Sequence, residues 1–118
     1  LFYAGGDILL MPSLFEPCGL SQLIALRYGT IPVVRAVGGL ADTVLDADGL
    51  PDGNGFVFTD YTPEELSHAV ERALNHWRDP GSWKGLLQRG MNGDYSWRAS
   101  AAAYRGLYEG IMGFGSGE

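Results

Sequence analysis

Residues that could do chemistry are concentrated in the stretch Phe15–Leu20, which holds a carboxylate, a thiol and a glycine at Glu16, Cys18 and Gly19. A carboxylate in such a loop can accept hydrogen bonds from sugar hydroxyls, or stabilise the positive charge that builds at an anomeric carbon. It can equally be an acid near a helix start that interacts with the helix dipole. The residues alone leave both interpretations of Glu16 open.

Cys18 has two possible roles as well. A cysteine nucleophile needs a base, but the only histidines, His68 and His76, lie far along the chain in a predicted helix. We therefore expect Cys18 to be a small buried side chain. It is the only cysteine, which excludes an internal disulfide and a zinc site built from several thiolates. A lone cysteine is typical of a reducing compartment.

A second stretch, Val37–Leu40, contains the glycine pair Gly38 and Gly39. Like Gly19, these residues allow the main chain to approach a ligand without a Cβ in the way. Each stretch leads into a predicted helix, and the free N–H groups of a helix start suit a diphosphate. Glycine pairs also occur in ordinary turns, so this pattern alone is a weak indication of ligand binding.

Both stretches follow predicted strands. Ile8–Met11 is apolar throughout, as is typical of a strand covered on both faces. A helix over Leu20–Tyr28 ends at Gly29, and Thr30–Val34 forms the next strand. This order predicts a parallel strand–helix–strand unit, with both stretches at the carboxyl edge of the sheet, where ligands bind in α/β folds.

The remaining residues predict a third strand and more helices around the same sheet, an α/β fold with roughly half the strands of a complete doubly wound domain. We expect a helical turn over Leu40–Leu45, a solvated acidic loop over Asp46–Gly55, a strand over Phe56–Phe58, helix caps at Thr62, Ser82 and Ser96, a helix stop at Asp79–Gly81, and a frayed tail over Gly113–Glu118. Five aromatic side chains are expected in the core or on packing surfaces: Trp77, Trp83, Trp97, Tyr104 and Tyr108.

The composition limits the classes of partner. The formal net charge of −6 argues against nucleic acid and anionic membranes, since both require basic patches. No apolar run approaches the length of a transmembrane helix, and the start lacks the basic region of a signal peptide. The chain begins without Met, so we expect a piece of a longer protein. Only Arg27 and Arg35 are basic in the first 60 positions, so a phosphate site there would need cations from elsewhere.

Four segments together carry a family resemblance. They are Pro12–Gln22, Arg27–Arg35, Gly38–Val44 and Asp94–Trp97. In this order they closely resemble the bacterial glycogen synthase and plant starch synthase family, which are retaining glucosyltransferases of family 5 with a GT-B fold. The resemblance covers nearly the whole chain, and the block Phe15–Leu20 is its most specific part.

The resemblance implies a role for each matching residue. Glu16 would be the acid that faces the donor glucose and helps to stabilise an oxocarbenium-like transition state. The substrate-binding residues would be Cys18, Gly19, Leu20, Ser21, Gly38 and Gly39. Among these, the residues at the helix start would contact the glucose and the diphosphate, and the glycine pair would lie against the phosphates or the acceptor side of the cleft.

The resemblance also implies an organisation and partners. Residues 1–60 would be part of a Rossmann-like donor-binding domain, the C-terminal half of a GT-B nucleotide-sugar domain, and residues 61–118 its C-terminal helical segment. The donor would be ADP-glucose and the acceptor an α-1,4-glucan, with no cofactor or metal. The missing N-terminal domain would complete the cleft, so we expect the 118 residues alone to be inactive. The compartment would be the bacterial cytoplasm or a plastid stroma.

Some residues depart from related patterns and leave alternatives open. Val37 stands where relatives often have Thr, Ser21 where they often have Thr, and Ile24 where related GT-B families place a second Glu. One alternative is a noncatalytic glucan- or nucleotide-binding relative. Another is a GT-B transferase with a different donor, such as a sucrose synthase-like or trehalose-forming protein, against which Cys18 and Ile24 count. If the last helix packs on the N-terminal domain, Tyr104, Leu107 and Tyr108 would be partly exposed here.

Overall fold

The computed structural model of the chain describes residues 2–113. Three parallel strands form one sheet in the order β1-β2-β3, and helices flank it, which confirms the predicted α/β architecture. The elements are α1 (Phe2–Gly5), β1 (Ile8–Met11), α2 (Ser21–Tyr28), β2 (Ile31–Arg35), α3 (Gly38–Thr43), β3 (Phe56–Phe58), α4 (Pro63–Arg78), α5 (Pro80–Asn92) and α6 (Trp97–Gly113). Residues 114–118, most of the predicted frayed tail, lie outside the described residues.

Strand β2 is the centre of the sheet and contributes to two hydrophobic clusters. Val33 packs with Phe56 of β3 and with residues of α4 and α5, such as Leu86. Its neighbour Val34 joins the second cluster with Leu40 of α3, because successive side chains of a strand point to opposite faces. Each such buried aliphatic or aromatic side chain contributes about 1.5–3 kcal/mol of transfer free energy. Both faces of β2 are thereby covered. The prediction that β1 is covered on both faces is wrong within the described residues, since no residue of this edge strand is buried and Leu10 is 48% exposed.

Two predicted helix boundaries are confirmed by their capping geometry. Helix α2 ends at Gly29, whose φ of 78° lies in the left-handed region that favours glycine. Helix α4 begins after Thr62, whose side chain accepts a hydrogen bond from the Glu65 N–H, and Pro63 occupies the first turn. The local sequence therefore determines where these two helices begin or end.

Two other predicted boundaries are wrong. Helix α5 begins at Pro80, because Asp79 caps it by accepting the Gly81 N–H, whereas Ser82 was the expected cap. The Ser82 hydroxyl instead contacts the half-buried His76 ring. Helix α3 begins at Gly38, two residues before the predicted start, so both glycines are helical.

The loop between α3 and β3 is exposed over residues 48–52, as expected of a solvated loop, but its two ends are held by ion pairs and hydrogen bonds. The Asp46 carboxylate accepts from the Val57 N–H at 2.8 Å and from Arg72 Nη1 at 2.9 Å, and the Arg72 guanidinium also reaches Asp48 at 2.9 Å. Asn54 is buried and bonds both the Leu45 N–H and the Thr43 carbonyl. The loop is therefore a folded segment that connects α3 to the sheet.

These contacts change the titration of the two carboxyls. Burial would raise the pKa of Asp46, but hydrogen bonds from Arg72 and from the Val57 and Asp48 N–H groups outweigh it, and the pKa lies below its ordinary value. For Asp48, burial is likewise outweighed by hydrogen bonds from His76 and Arg72, which lower its pKa. Burial would lower the pKa of Arg72, but both carboxylates raise it.

Helix α6 has no buried residue. Tyr104, Leu107 and Tyr108 are each more than half exposed, as expected if this helix packs on a further domain, and Trp97 is 90% exposed. Among the five aromatic residues expected in the core or on packing surfaces, Trp83 is the buried one. Within residues 2–113, no helix combines the length and the apolar character that a membrane crossing requires.

Candidate functional site

The two stretches singled out in the sequence meet at the carboxyl edge of the sheet. The first loop, residues 12–20, follows β1, and the second, residues 36–37, follows β2 and leads into α3. Because β1 and β2 are parallel and adjacent, their carboxyl ends bring the loops together. The predicted juxtaposition of the Glu16 and Gly38 regions is therefore confirmed.

The two loops are joined through main-chain atoms. The Gly39 N–H donates to the Glu16 carbonyl oxygen at 3.2 Å. A Cβ on Gly38 would lie 2.0 Å from the Glu16 carbonyl oxygen, and a Cβ on Gly39 would lie 2.0 Å from that of Cys18. Gly38 also has a φ of 46°, in the left-handed region. Both positions thus require glycine for the approach of the first loop, a reason that the sequence did not reveal.

Glu16 is half-buried in the first loop. Its carboxylate Oε2 accepts from the Ser13 hydroxyl at 3.5 Å, a long hydrogen bond within the loop itself. Among the described residues, no cationic side chain forms an ion pair with Glu16. The carboxylate is therefore free to receive hydroxyl donors or a developing positive charge at this edge.

Cys18 is exposed, so the interpretation of a small buried side chain is wrong. The reason lies in its main chain, whose carbonyl turns inward and accepts from Gln22 Nε2 at 3.2 Å, while the thiol side chain stays outside. His68 and His76 both belong to α4, away from the two loops. As the sequence indicated, neither loop supplies a histidine base for this thiol.

Gln22 is a site residue that sequence reasoning missed. It belongs to the first turn of α2 and is fully buried. The two hydrogens of its Nε2 are shared among three acceptors, the Cys18 and Gly19 carbonyls and the Thr43 hydroxyl oxygen, the last at 3.2 Å. The Thr43 hydroxyl in turn donates to the Gly39 carbonyl at 2.7 Å. A signal was present: Gln22 occupies the same helix face as Ala25 and Leu26, where an apolar side chain would be ordinary.

The hydrogen-bond network continues to the segment before α6. The buried Asn54 amide donates to the Thr43 carbonyl at 3.2 Å and to the Tyr95 hydroxyl at 3.3 Å. Tyr95 lies in the linker between α5 and α6. The residues that hold the second loop are thus connected by hydrogen bonds to the entry of α6.

The start of α2 presents unpaired N–H groups. Leu20 occupies the N-cap position and provides no side-chain cap. Within residues 2–113, the N–H groups of Gly19, Leu20 and Ser21 have no hydrogen-bond acceptor. Gly19 has a φ of 68°, so this turn needs a residue that tolerates the left-handed region. Such a turn can bind an anion, because its N–H groups carry partial positive charge.

The two basic residues of the first 60 positions are committed to main-chain carbonyls. Arg35 donates from Nε to the Thr59 carbonyl and from Nη1 to the Leu14 carbonyl, each at 3.1 Å. It also lies over the Tyr61 ring, with its guanidinium carbon 5.2 Å from the ring centroid. Arg27 donates to the Met91 carbonyl at 3.2 Å. Arg35 therefore ties the loops after β1 and β3 together.

The site contains no cluster suited to a metal ion. Within the described ranges, no group of three or more His, Cys, Asp and Glu side chains could hold one. The chemistry of this edge therefore consists of one carboxylate, one exposed thiol and a row of main-chain donors.

Comparison with known protein families identifies one family. The model of the family described as glycosyl transferases group 1 matches residues 1–84. Among curated proteins, a glycogen synthase of Anaeromyxobacter sp. (strain K) is 61% identical over 105 residues, which are 89% of this chain and 22% of that protein. A glycogen synthase of Geobacillus thermodenitrificans (strain NG80-2) is 54% identical over 111 residues, covering 93% of this chain and 23% of that protein.

Solved structures give a consistent result. The catalytic domain of starch synthase IV from Arabidopsis thaliana, bound to ADP and acarbose, superposes with a TM-score of 0.81 at 45% identity, covering 91% of this chain and 23% of that one. A sucrose-phosphate synthase from Thermosynechococcus elongatus gives a TM-score of 0.67 at 28% identity, covering 95% and 27%. The chain spans 22% of the length of the curated relative from strain K. The resemblance stated from the motifs is confirmed.

Proposed function

The chain belongs to the group 1 glycosyl transferases, and we propose that the full-length protein that contains it transfers glucose from ADP-glucose to the non-reducing end of an α-1,4-glucan, with retention of anomeric configuration. The observation that carries this proposal is the proximity of one carboxylate without an ion-pair partner, Glu16, to the unpaired N–H groups at the start of α2. The glycogen synthases that are 54–61% identical to this chain support the choice of reaction.

Glu16 would supply the negative charge at the reacting centre. A glucosyl group that leaves its diphosphate develops positive charge at the anomeric carbon, and a carboxylate nearby stabilises that charge. The loop holds Glu16 at the edge of the sheet by its main-chain carbonyl, which accepts the Gly39 N–H. The side chain therefore keeps its carboxylate available for the sugar.

The diphosphate would lie at the start of α2. The N–H groups of Gly19, Leu20 and Ser21 would donate to its oxygens, the Ser21 hydroxyl could add a further bond, and the main chain at Cys18 would border the glucose. Gly38 and Gly39 would form the other wall of the donor site. Since Arg27 and Arg35 already bond main-chain carbonyls, the cations that neutralise the diphosphate would come from elsewhere in the full-length protein.

The two parts of the chain would form one donor-binding domain. Residues 1–60 contribute the sheet and both loops, and residues 61–118 contribute the helical segment. The packing of α4 and α5 on β2 and β3, through residues such as Ala69 and Leu86, supports this arrangement. We assign the reaction to the bacterial cytoplasm or, for a plant or algal source, to the plastid stroma.

The direct test is glucose incorporation into glycogen by the full-length protein, with ADP-glucose and UDP-glucose compared as donors. We expect elongation with ADP-glucose and little with UDP-glucose. Elongation with UDP-glucose alone would contradict the assigned donor, and binding of ADP and glucan without transfer would indicate a noncatalytic relative. The 118 residues assayed alone should show no turnover, because they span only 22% of the length of the glycogen synthase from strain K and would form only part of the cleft; measurable turnover would refute this part of the proposal.

A further inference from the structure

Gln22 joins the first loop of the site to α3, the helix that follows the second loop. Its Nε2 lies 3.2 Å from the Cys18 carbonyl oxygen, 2.8 Å from that of Gly19, and 3.2 Å from the Thr43 hydroxyl oxygen. We propose that Gln22 is a positioning residue that turns the N–H groups at the start of α2 towards the nucleotide. This inference rests on the proposed function of those N–H groups as contacts of the diphosphate.

The direction of the N–H groups follows from the planarity of the peptide bond. In a trans peptide, the carbonyl of one residue and the N–H of the next point in opposite directions. Gln22 draws the Cys18 and Gly19 carbonyls into the protein interior. The N–H groups of Gly19 and Leu20 must therefore point away from it, to the side where no acceptor is described.

The amide can perform this task in one orientation only. All three partners of the amide are hydrogen-bond acceptors. The Thr43 hydroxyl donates its hydrogen to the Gly39 carbonyl, so towards Gln22 its oxygen can only accept. With the amide reversed, Oε1 would face two carbonyl oxygens and repel them. In the described orientation Oε1 is buried without a partner, so the side chain is used for its donor group alone.

An apolar residue would serve packing better than Gln22. A buried polar atom without a partner costs free energy, and Gln22 is fully buried on an otherwise apolar face of α2. A methionine has nearly the same shape and no such cost. Glutamine is therefore favoured at this position by its hydrogen bonds, which end on the first loop and on α3.

Thr43 connects Gln22 to the start of α3. Its hydroxyl bonds both Gln22 Nε2 and the Gly39 carbonyl, so the start of α3 is fixed relative to the start of α2. Loss of the Gln22 amide would release the Cys18–Gly19 turn and this joint together. The expected consequence is misdirected N–H groups rather than an unfolded chain.

The test compares Gln22→Met with a matched control in the full-length protein. Thr30 is also buried, and its hydroxyl lies within hydrogen-bond distance of two carbonyl oxygens, of Tyr3 and Gly6, at the opposite end of the sheet. Thr30→Val removes those bonds without touching the loops. ADP and glycogen affinities and thermal unfolding are measured for both variants. We expect Gln22→Met to weaken ADP binding about ten- to hundredfold, with glycogen affinity unchanged, and Thr30→Val to leave both within about twofold.

Several results would overturn the proposal. ADP affinity of Gln22→Met within twofold of the wild type would do so, as would an equal loss in Thr30→Val. If Gln22→Met does not fold, Thr43→Val replaces it, with a smaller expected loss of ADP affinity, because Gln22 then keeps its bonds to the Cys18 and Gly19 carbonyls; an unchanged affinity would overturn the proposal. If the wild-type protein binds no ADP, the proposed function fails, and a crystal structure of the nucleotide-free variant decides the role of Gln22: Cys18 and Gly19 carbonyls in unchanged positions would refute it, and rotated carbonyls would support it.

Discussion

A Cβ on Gly39 would lie 2.0 Å from the Cys18 carbonyl oxygen, so the two loops of the site can approach only because this residue has no side chain. Gly39→Ala must therefore push the loops apart. We expect the free energy of unfolding to fall by about 1–3 kcal/mol, the usual cost of overpacking, and ADP binding to weaken. Urea unfolding and calorimetric titration with ADP measure the two effects.

The matched control for this change is Gly49→Ala. A Cβ on Gly49 meets nothing within 4 Å, and its exposed position leaves room for the methyl group. The free energy of unfolding should change by less than about 0.5 kcal/mol. Equal effects of the two substitutions would show that the contact between Gly39 and Cys18 does not limit the loops.

Replacement of Glu16 tests the reacting centre. Glu16→Ala in the full-length protein should lower kcat by about 10²–10³-fold, since a preorganised charge that stabilises the transition state is lost. ADP affinity should change much less, because the main chain of the first loop keeps its bond to Gly39. Steady-state kinetics and ADP titration separate the two quantities. Glu71→Ala, on the exposed side of α4, provides the control, and a wild-type rate in Glu16→Ala would remove this residue from the proposed role.

The pH dependence of stability reports on the loop before β3. The folded-state pKa values of Asp46 and Asp48 lie below the ordinary value of 3.8. Their stabilisation is therefore present above that value and is lost as the pH falls through the lowered pKa values. Arg72→Met should lower the free energy of unfolding by about 1–3 kcal/mol near pH 7. This difference in unfolding free energy between the variant and the wild type should become smaller as the pH falls below about 4.

Urea unfolding at several pH values measures this narrowing. Arg78→Met is the matched control, because Arg78 bonds only the Asn75 side chain at 3.3 Å. Its effect should be small and independent of pH. If the difference in unfolding free energy between Arg72→Met and the wild type stays constant from pH 7 to acidic pH, the ion pairs between Arg72 and the two carboxylates do not stabilise the fold as proposed.

The exposed Cys18 provides a chemical probe of the donor site. Cys18→Ala should keep kcat within about threefold of the wild type, because the structure uses the main-chain carbonyl of this residue and leaves the thiol outside. Alkylation of Cys18 with a bulky maleimide should abolish transfer, and ADP should slow the alkylation. Mass spectrometry of the modified peptide assigns the site. Loss of activity in Cys18→Ala would instead give the thiol a direct part in the reaction.

Local signals in the sequence predicted much of the fold. Gly29 fixed the end of α2, Thr62 the start of α4, and the apolar run Ile8–Met11 the first strand, because each depends on interactions between near neighbours. The start of α5 was missed because Asp79 and Ser82 are both good caps, and the choice depends on a partner, His76, from another helix.

The candidate site shows the same division. The positions of Glu16 and Gly39 at the carboxyl edge of the sheet were predicted from the strand ends that precede them. Arg35 was missed because its partners lie in loops that become neighbours only when β1, β2 and β3 pair. Gln22 was missed because its link to Thr43 of α3 forms only on folding, although its other two partners are close in sequence. The exposure of Cys18 likewise depends on the direction of its carbonyl, which Gln22 determines. Contacts between distant segments leave no signal in any single stretch of the sequence.

The joint between the loops is made of main-chain atoms, the Glu16 and Cys18 carbonyls against Gly38 and Gly39. Every amino acid carries the same carbonyl group. Side chains of the first loop, except at Gly19, whose φ of 68° favours glycine, can therefore be exchanged without altering the shape of the joint. Gly38 and Gly39 cannot be exchanged in this way, because a Cβ at either position would lie 2.0 Å from a carbonyl oxygen. The chemistry that the first loop presents can thus change, while Gly38 and Gly39 keep the two loops in contact.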